Sequence, residues 1–317
     1  NSEGIASIIR YGVYLAEHRE KLSTRFSLIA DLLRESHYSA EQLGKEHIDG
    51  EAVEQALEER KYLAGLPEEK ILEMIRDGEI IVEVDGSKEG NVNGLAVHDR
   101  GYYSFGSPVV VSARSAPGTD GIINIEREVG LSGEIHDKWM MILEGYLRHK
   151  YAHSFPLSVY ASICFEQSYS EIEGDSASAA EVYALLSSVG RLPLRQDLAV
   201  TGSVNQIGDI LPIGGISDKI DGFYKICRTI GLTGTQGVIV PSRNLKNIML
   251  SRETVEAVRE GKFHVYPVSS VDEGLALLTS RPAGEADERG EFPESSANAV
   301  IAGRLKDMAN LVKDYTS

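Results

Sequence analysis

The period of the hydrophobic residues changes once along this chain, near Glu79, and that change restricts the folds open to it. Before it, apolar residues recur at helical spacing: Ile5, Ile8, Ile9, Val13 and Leu15, then the stretches "FSLIADLLRES", "DGEAVEQALEERKYL" and "PEEKILEMIRD". This pattern, with Ser23-Thr24 as a break, predicts a small all-α domain. After it, "EIIVEVDG", "GNVNGLAV" and "SPVVVSARSA" alternate or run apolar between Gly and Pro, which predicts strands. "SGEIHDKWMMILEGYLRHKYA" predicts a helix with Ser132 as its N-cap, and "PLSVYASICFEQ" a strand. A strand at 198–204, a helix after Gly215, strands in "QGVIVP" and "FHVYPVSS" and a helix in "VDEGLALLTS" complete the set. Such alternation predicts an α/β or α+β domain. The expected division is 1–78, a helical domain and connecting helix; 79–281, the α/β domain; and 282–317, a linker and tail. "PAGEADERGEFPESS" reads as flexible linker, and the tail carries Ile301, Leu305, Met308 and Val312 at 4-3-4 spacing. That stripe is expected to pack on the parent domain or on a neighbouring subunit.

Charge and cysteine content narrow the function classes. A formal charge of −16 makes nucleic acid and anionic membrane unexpected partners. No 18-residue apolar run is present, so no membrane span is expected. Cys164 and Cys227, both in apolar segments, read as reduced core thiols of a cytoplasmic protein. No His/Cys/Asp cluster has metal-ligand spacing, so no metal is expected.

In "EIEGDSASAAEVYALLSSVG" a loop runs into a helix, with Ser176 at the corner among Gly174, Asp175, Ala177, Ser178, Ala179 and Ala180. Ser176 is either a helix cap or a nucleophile that needs open space. A serine nucleophile needs a base. The hydrolase elbow G-x-S-x-G is absent here, as is S-x-x-K anywhere in the chain, which leaves a partner brought in by the fold. In "LPIGGISDKIDGFYKICRTIG", Ile216, Ile220, Phe223, Tyr224 and Cys227 share one helical face, Asp218, Asp221, Lys225 and Arg228 the other, and Lys219 the border. A border lysine either snorkels to water or, desolvated, has its pKa lowered enough to act as a base.

The two segments together resemble the proteolytic domain of the Lon protease family, most closely its B-type branch. The serine motif E-G-D-S-A-S stands at Glu173–Ser178. The second motif stands at Thr201-Gly202 and Leu211-Pro212-Ile213-Gly214-Gly215 through Lys219. The similarity runs over roughly residues 79–280, through "VNGLAV", "GEI", "VIVP" and "VYPVSSVDEGLALL". It implies a Lon-type α/β (α+β) proteolytic domain, and a serine endopeptidase that degrades unfolded or damaged polypeptides. Ser176 would be the nucleophile, Lys219 the general base, and Thr201 the hydroxyl that orients the lysine. Asp175 would either hydrogen-bond the dyad or hold Lys219 in an inactive pair. Backbone N–H groups near Asp175 and Ser176 would form the oxyanion hole. A hexameric homo-oligomeric ring is implied as well.

The first 62 residues look like the small helical subdomain of an AAA+ ATPase module, with Arg25 where such modules carry a nucleotide-touching arginine. No G-x-x-x-x-G-K-[ST] loop occurs in this chain. The chain itself is therefore expected to hold no cofactor. ATP and Mg are expected on an upstream ATPase module, with this chain read as a C-terminal fragment of a longer ATP-dependent protein. The alternatives are an ATP-independent Lon-like protease and a non-proteolytic scaffold of the same fold. His136 is expected on a helix surface, and Tyr169 and Glu171 are candidate groove residues.

Overall fold

The computed structural model describes residues 1–101, 103–169 and 171–316, Thr316 by its backbone alone. Three helices, α1 (Ser2–Leu15), α2 (Phe26–Gln42) and α3 (Gly50–Ala64), form the first unit. Asn1 and Asp49 cap α1 and α3 by accepting from the Gly4 and Ala52 amides, as short polar side chains do at helix starts. Their core is small: Leu32, Val53 and Ala56 are buried, with Ile8, Tyr11, Ile48 and Leu57 packed around them. A fourth helix, α4 (Leu66–Arg76), leads into the larger domain and buries Ile75 there.

The larger domain runs β1 (Ser87–Glu89), β2 (Asn91–Asp99), β3 (Ser104–Pro117), β4 (Gly121–Asn124), α5 (Ile125–Glu128), α6 (Glu134–Tyr151), β5 (Val159–Phe165) and α7 (Ser178–Gly190). It continues through β6 (Pro193–Arg195), β7 (Leu198–Val200), β8 (Ser203–Val204), β9 (Ile210–Leu211), α8 (Ile216–Ile230) and β10 (Gly237–Pro241). A 3₁₀ helix (Ser242–Asn247), α9 (Arg252–Arg259), β11 (His264–Val268), α10 (Val271–Thr279) and α11 (Ala297–Thr316) complete it. Seven strands form one mixed sheet in the order β11-β10-β7-β2-β3-β5-β4; β1-β6 and β8-β9 are separate pairs. The central pairs β2/β7, β7/β10 and β10/β11 are parallel.

Side chains of the central strands alternate between two cores, as the pleat requires. Val92, Leu198, Val200 and Ile239 join the core that contains α7. Leu95, Ala199, Val238 and Val240 join the one that contains α8. The two helices therefore cover opposite faces of the sheet. α7 is buried along all 13 of its residues, which is why its sequence is apolar or small all round apart from Glu181.

Three sequence expectations are corrected. "EIIVEVDG" forms no strand, although Val84 is buried. Its backbone is satisfied by side-chain amides instead: Gln167 accepts from the Ile81 amide, Asn93 donates to Glu83 O, and Gln236 to Val84 O. The strand expected at 198–204 is cut at Thr201-Gly202, between β7 and β8. Finally, 282–296 is a tethered loop, with Pro282 O and Ala283 O accepting from the Ala297 and Asn298 amides. The tail helix α11 is built into the main core, where Ile301 and Leu305 are buried.

Candidate active site

The break in the strand after β7 is where the serine loop docks. Thr201 is still in register with β10, its amide donating to Ile239 O at 3.1 Å. The next groups turn to the loop before α7. The Gly202 amide donates to Ser176 O at 3.0 Å, the Thr201 hydroxyl donates to the same oxygen at 3.1 Å, and the Ala179 amide donates to Gly202 O at 3.1 Å. Gly174 reverses the chain with φ +83°, a left-handed conformation that favours glycine. Upstream, Ile172 is held to the segment preceding α6: its amide donates to Leu131 O and its carbonyl accepts from Gly133 N. Ser176 thus stands on backbone fixed from both sides. The amides of Asp175 and Ser176, at the mouth of α7, donate to no group among the described residues.

Lys219 reaches this corner from the first turn of α8. Its Nζ donates to Ser176 Oγ at 2.9 Å and to Thr201 Oγ1 at 3.2 Å. The side chain is only 1 % exposed, so it lies inside the protein and not at the border of the apolar stripe as its helical position suggests. Burial pulls its pKa down to about 8, against the opposing charge of Asp175. Asp175 makes no ion pair with it; its Oδ2 accepts from Ser203 Oγ at 2.7 Å.

Two glycines that the sequence reading passed over set the depth of Lys219. A Cβ on Gly106 of β3 would stand 2.2 Å from Asp218 O and 2.6 Å from the Lys219 Cα, and one on Gly222 would stand 2.1 Å from Gly106 O. Only hydrogen on both sides lets α8 lie this close to the sheet. Asp218, next to the lysine, accepts from Tyr14 Oη of the helical domain at 2.7 Å and from Ser104 Oγ at 2.5 Å. A carboxylate before a lysine is a weak signal, and its partner in α1 is far away in sequence.

A cleft of about 790 Å³ opens at the serine. Its lining comprises Gly174–Ser176, Pro212–Gly214 and four residues of the 3₁₀ helix. Tyr169 and Glu171 are exposed and lie outside that lining. His136 is not on the surface: at 1 % exposure it pairs through Nε2 with Glu181 of α7 at 3.1 Å, and through Nδ1 with Ser132 Oγ at 3.0 Å. Burial opposes its protonation, but the Glu181 bond and the charges of Glu126 and Asp137 hold its pKa above the usual value. It braces α6 against α7 and belongs to no base in the cleft. Cys227 is buried, while Cys164 is half-buried, its thiol pushed up to about 11 by desolvation. Arg25 is exposed just before α2 in the helical unit. No helix among the described residues is long and apolar enough to cross a membrane.

Comparison with known proteins agrees with this architecture. Residues 1–62 match the family model for the archaeal LonB AAA+ ATPase LID domain, and residues 167–280 match that for the Lon protease (S16) C-terminal proteolytic domain. A Lon protease homolog of Escherichia coli (strain K12) is 38 % identical over 252 residues, 78 % of this chain and 42 % of that protein. A Lon protease homolog of Haemophilus influenzae is 34 % identical over 299 residues, 93 % of this chain and 49 % of that protein. The archaeal Lon protease of Thermococcus kodakarensis is 28 % identical over 279 residues, 87 % of this chain and 41 % of that protein. The chain spans less than half the length of each of these relatives. The chain belongs to the Lon protease family, and carries that family's C-terminal proteolytic domain behind a small helical LID domain.

Proposed function

We propose that this chain is the proteolytic part of a serine endopeptidase that works through a Ser176–Lys219 dyad. The observation that carries the reading is the 2.9 Å approach of a fully buried lysine amine to a serine hydroxyl that lines an open cleft. A lysine buried without an ion pair costs stability, and a scaffold gains nothing from it; a catalyst gains a base whose pKa is close to working pH.

In the first step neutral Lys219 accepts the Ser176 proton while Oγ attacks the peptide carbonyl, forming a tetrahedral intermediate. The Asp175 and Ser176 amides, at the positive end of the α7 dipole, are placed to hold the oxyanion. The lysine ammonium then gives its proton to the departing amine, the C–N bond breaks, and an acyl-serine remains. Water repeats the sequence with Lys219 as base and releases the acid. Thr201 Oγ1 keeps Nζ directed at the serine. Asp175 favours the ammonium electrostatically, so it works against the base unless screened or turned away, and its bond to Ser203 turns it away.

For the intact protein we place this activity on unfolded or damaged polypeptides, in a hexameric ring in the cytoplasm. ATP hydrolysis drives it from a module whose P-loop lies outside this sequence. Arg25 is the one nucleotide contact assigned to this chain; being exposed, it is available to a nucleotide held by other residues. The test is casein degradation by the chain and by two variants. Ser176→Ala and Lys219→Arg should both lose activity while circular dichroism stays unchanged, since arginine keeps the charge but does not deprotonate. Degradation by either variant at the rate of the parent overturns the dyad.

A further inference from the structure

We propose that the cleft selects peptides with acidic side chains, and that Arg243 and Lys246 are the residues that determine this specificity; the proposal rests on the reading that a peptide is cut at Ser176. The chain carries a net charge of −16, yet its cleft is lined by two peripheral cations, Arg243 and Lys246, and by one carboxylate, Asp175. Asp175 already accepts from Ser203 Oγ. Arg243 and Lys246 are exposed, and neither makes an ion pair or a side-chain hydrogen bond among the described residues.

The backbone that presents the two cations is fixed. Asn244 lies between them, 2 % exposed, and clamps Ile213: its Oδ1 accepts from the Ile213 amide at 2.9 Å and its Nδ2 donates to Ile213 O at 2.9 Å. The Arg19 amide donates to Lys246 O at 3.0 Å, and Asn247 Nδ2 donates to Glu17 O at 2.7 Å. Ordering a peptide carboxylate against this wall therefore immobilises two side chains and no loop. The guanidinium can grip a carboxylate with two parallel N–H groups, and the ammonium adds a point charge. Pro212 and Ile213 in the same lining leave room for apolar neighbours. The fitting substrate is an extended, largely apolar peptide with Asp or Glu near the scissile bond.

The test uses the full chain as Ser176→Ala and three fluorescent decapeptides of one apolar sequence that carry Glu, Gln or Lys beside the central bond. At low salt the Glu peptide should bind about three- to tenfold more tightly than the Gln peptide, and the Lys peptide least tightly, as expected for two solvent-exposed charge pairs. The spread should narrow as salt rises. In Ser176→Ala carrying R243E and K246E, both surface changes, the order should reverse. Equal affinities for the three peptides, or an order that survives the charge reversal, overturn the proposal. Cleavage of the Gln peptide by the chain with Ser176 present is scored separately. Its absence counts against the dyad, while the binding order still decides the specificity.

Discussion

At the scale of single residues, the base proposed at Lys219 sets catalysis against stability. Its folded pKa of about 8 lies below the ordinary lysine value of 10.5 because burial penalises the ammonium. Between these two values the unfolded chain binds a proton that the folded chain has released, so unfolding becomes harder as pH rises from 8 toward 10.5. Below pH 8 the protein bears the whole cost, on the order of 3 kcal/mol. Lys219→Met, which keeps the length and removes the charge, should raise the unfolding free energy at pH 7 by roughly 1–3 kcal/mol, once the two lost hydroxyl contacts are counted. The gain should shrink as pH approaches 10.5. Peptidase activity should follow the same proton in the same direction: kcat/KM of the native chain should climb through a midpoint near 8 as the amine becomes neutral. Urea titrations at pH 7 and pH 10 and a pH–rate profile measure both. A variant no more stable than its parent at pH 7, or a flat profile from 6 to 9, contradicts this account.

At the scale of elements, what positions Lys219 beside Ser176 is the contact of α8 with β3, made through Gly106 and Gly222. Gly106 is not in a left-handed conformation, so substituting it is a purely steric matter. Gly106→Ala puts a methyl 2.2 Å from Asp218 O, which α8 can relieve only by lifting off the sheet. Lys219 moves with it, and a displacement near 1 Å costs about 100-fold in rate. The expected result is a 10- to 100-fold loss of kcat with about 1–3 kcal/mol of destabilisation. Gly303→Ala, in α11 with open space around it, should leave kcat unchanged and stabilise by about 0.5–1 kcal/mol. Equal kcat in Gly106→Ala and its parent removes this role for the contact. These elements also mark how far the sequence could be read. The serine corner and the lysine helix were legible because each is a local pattern of residue types. Gly106 was not, because a glycine in a strand announces no partner, and its partner lies on a helix more than a hundred residues on. His136 was misplaced because its partner, Glu181, belongs to a helix polar at that point and buried on all sides. "EIIVEVDG" has strand composition but no strand edge to join, since glutamine and asparagine side chains take up its backbone groups.

At the scale of the whole molecule, the helical unit and the proteolytic domain meet beside Lys219. Tyr14 Oη donates to Asp218, Glu17 accepts from the Gly215 amide at 3.3 Å, and Arg19 Nε donates to Ile248 O at 3.1 Å. Glu68 of α4, 5 % exposed, accepts from Lys225 of α8 and from Tyr103. With Leu32, Ala40, Ala52, Val53 and Ala56 as its buried apolar residues, three of them alanines, the helical unit has too little apolar burial of its own to hold α1 tightly. Its order therefore depends on this junction, and so does the first turn of α8. Burial already pushes the Asp218 carboxyl up, while its bonds from Ser104 and Tyr14 pull it down. Tyr14→Phe leaves the ring in place and takes away one of those donors, which costs about 1–3 kcal/mol at a buried carboxylate. Because that energy is lost from local openings of the junction, amide hydrogen exchange should accelerate about 5- to 100-fold in α1 and in the first turn of α8. The central strands β2 and β7, which open only with the whole domain, should keep their protection. Exchange unchanged in both helices would mean that the two units are held by packing alone, and that the helical unit does not brace the lysine through Asp218.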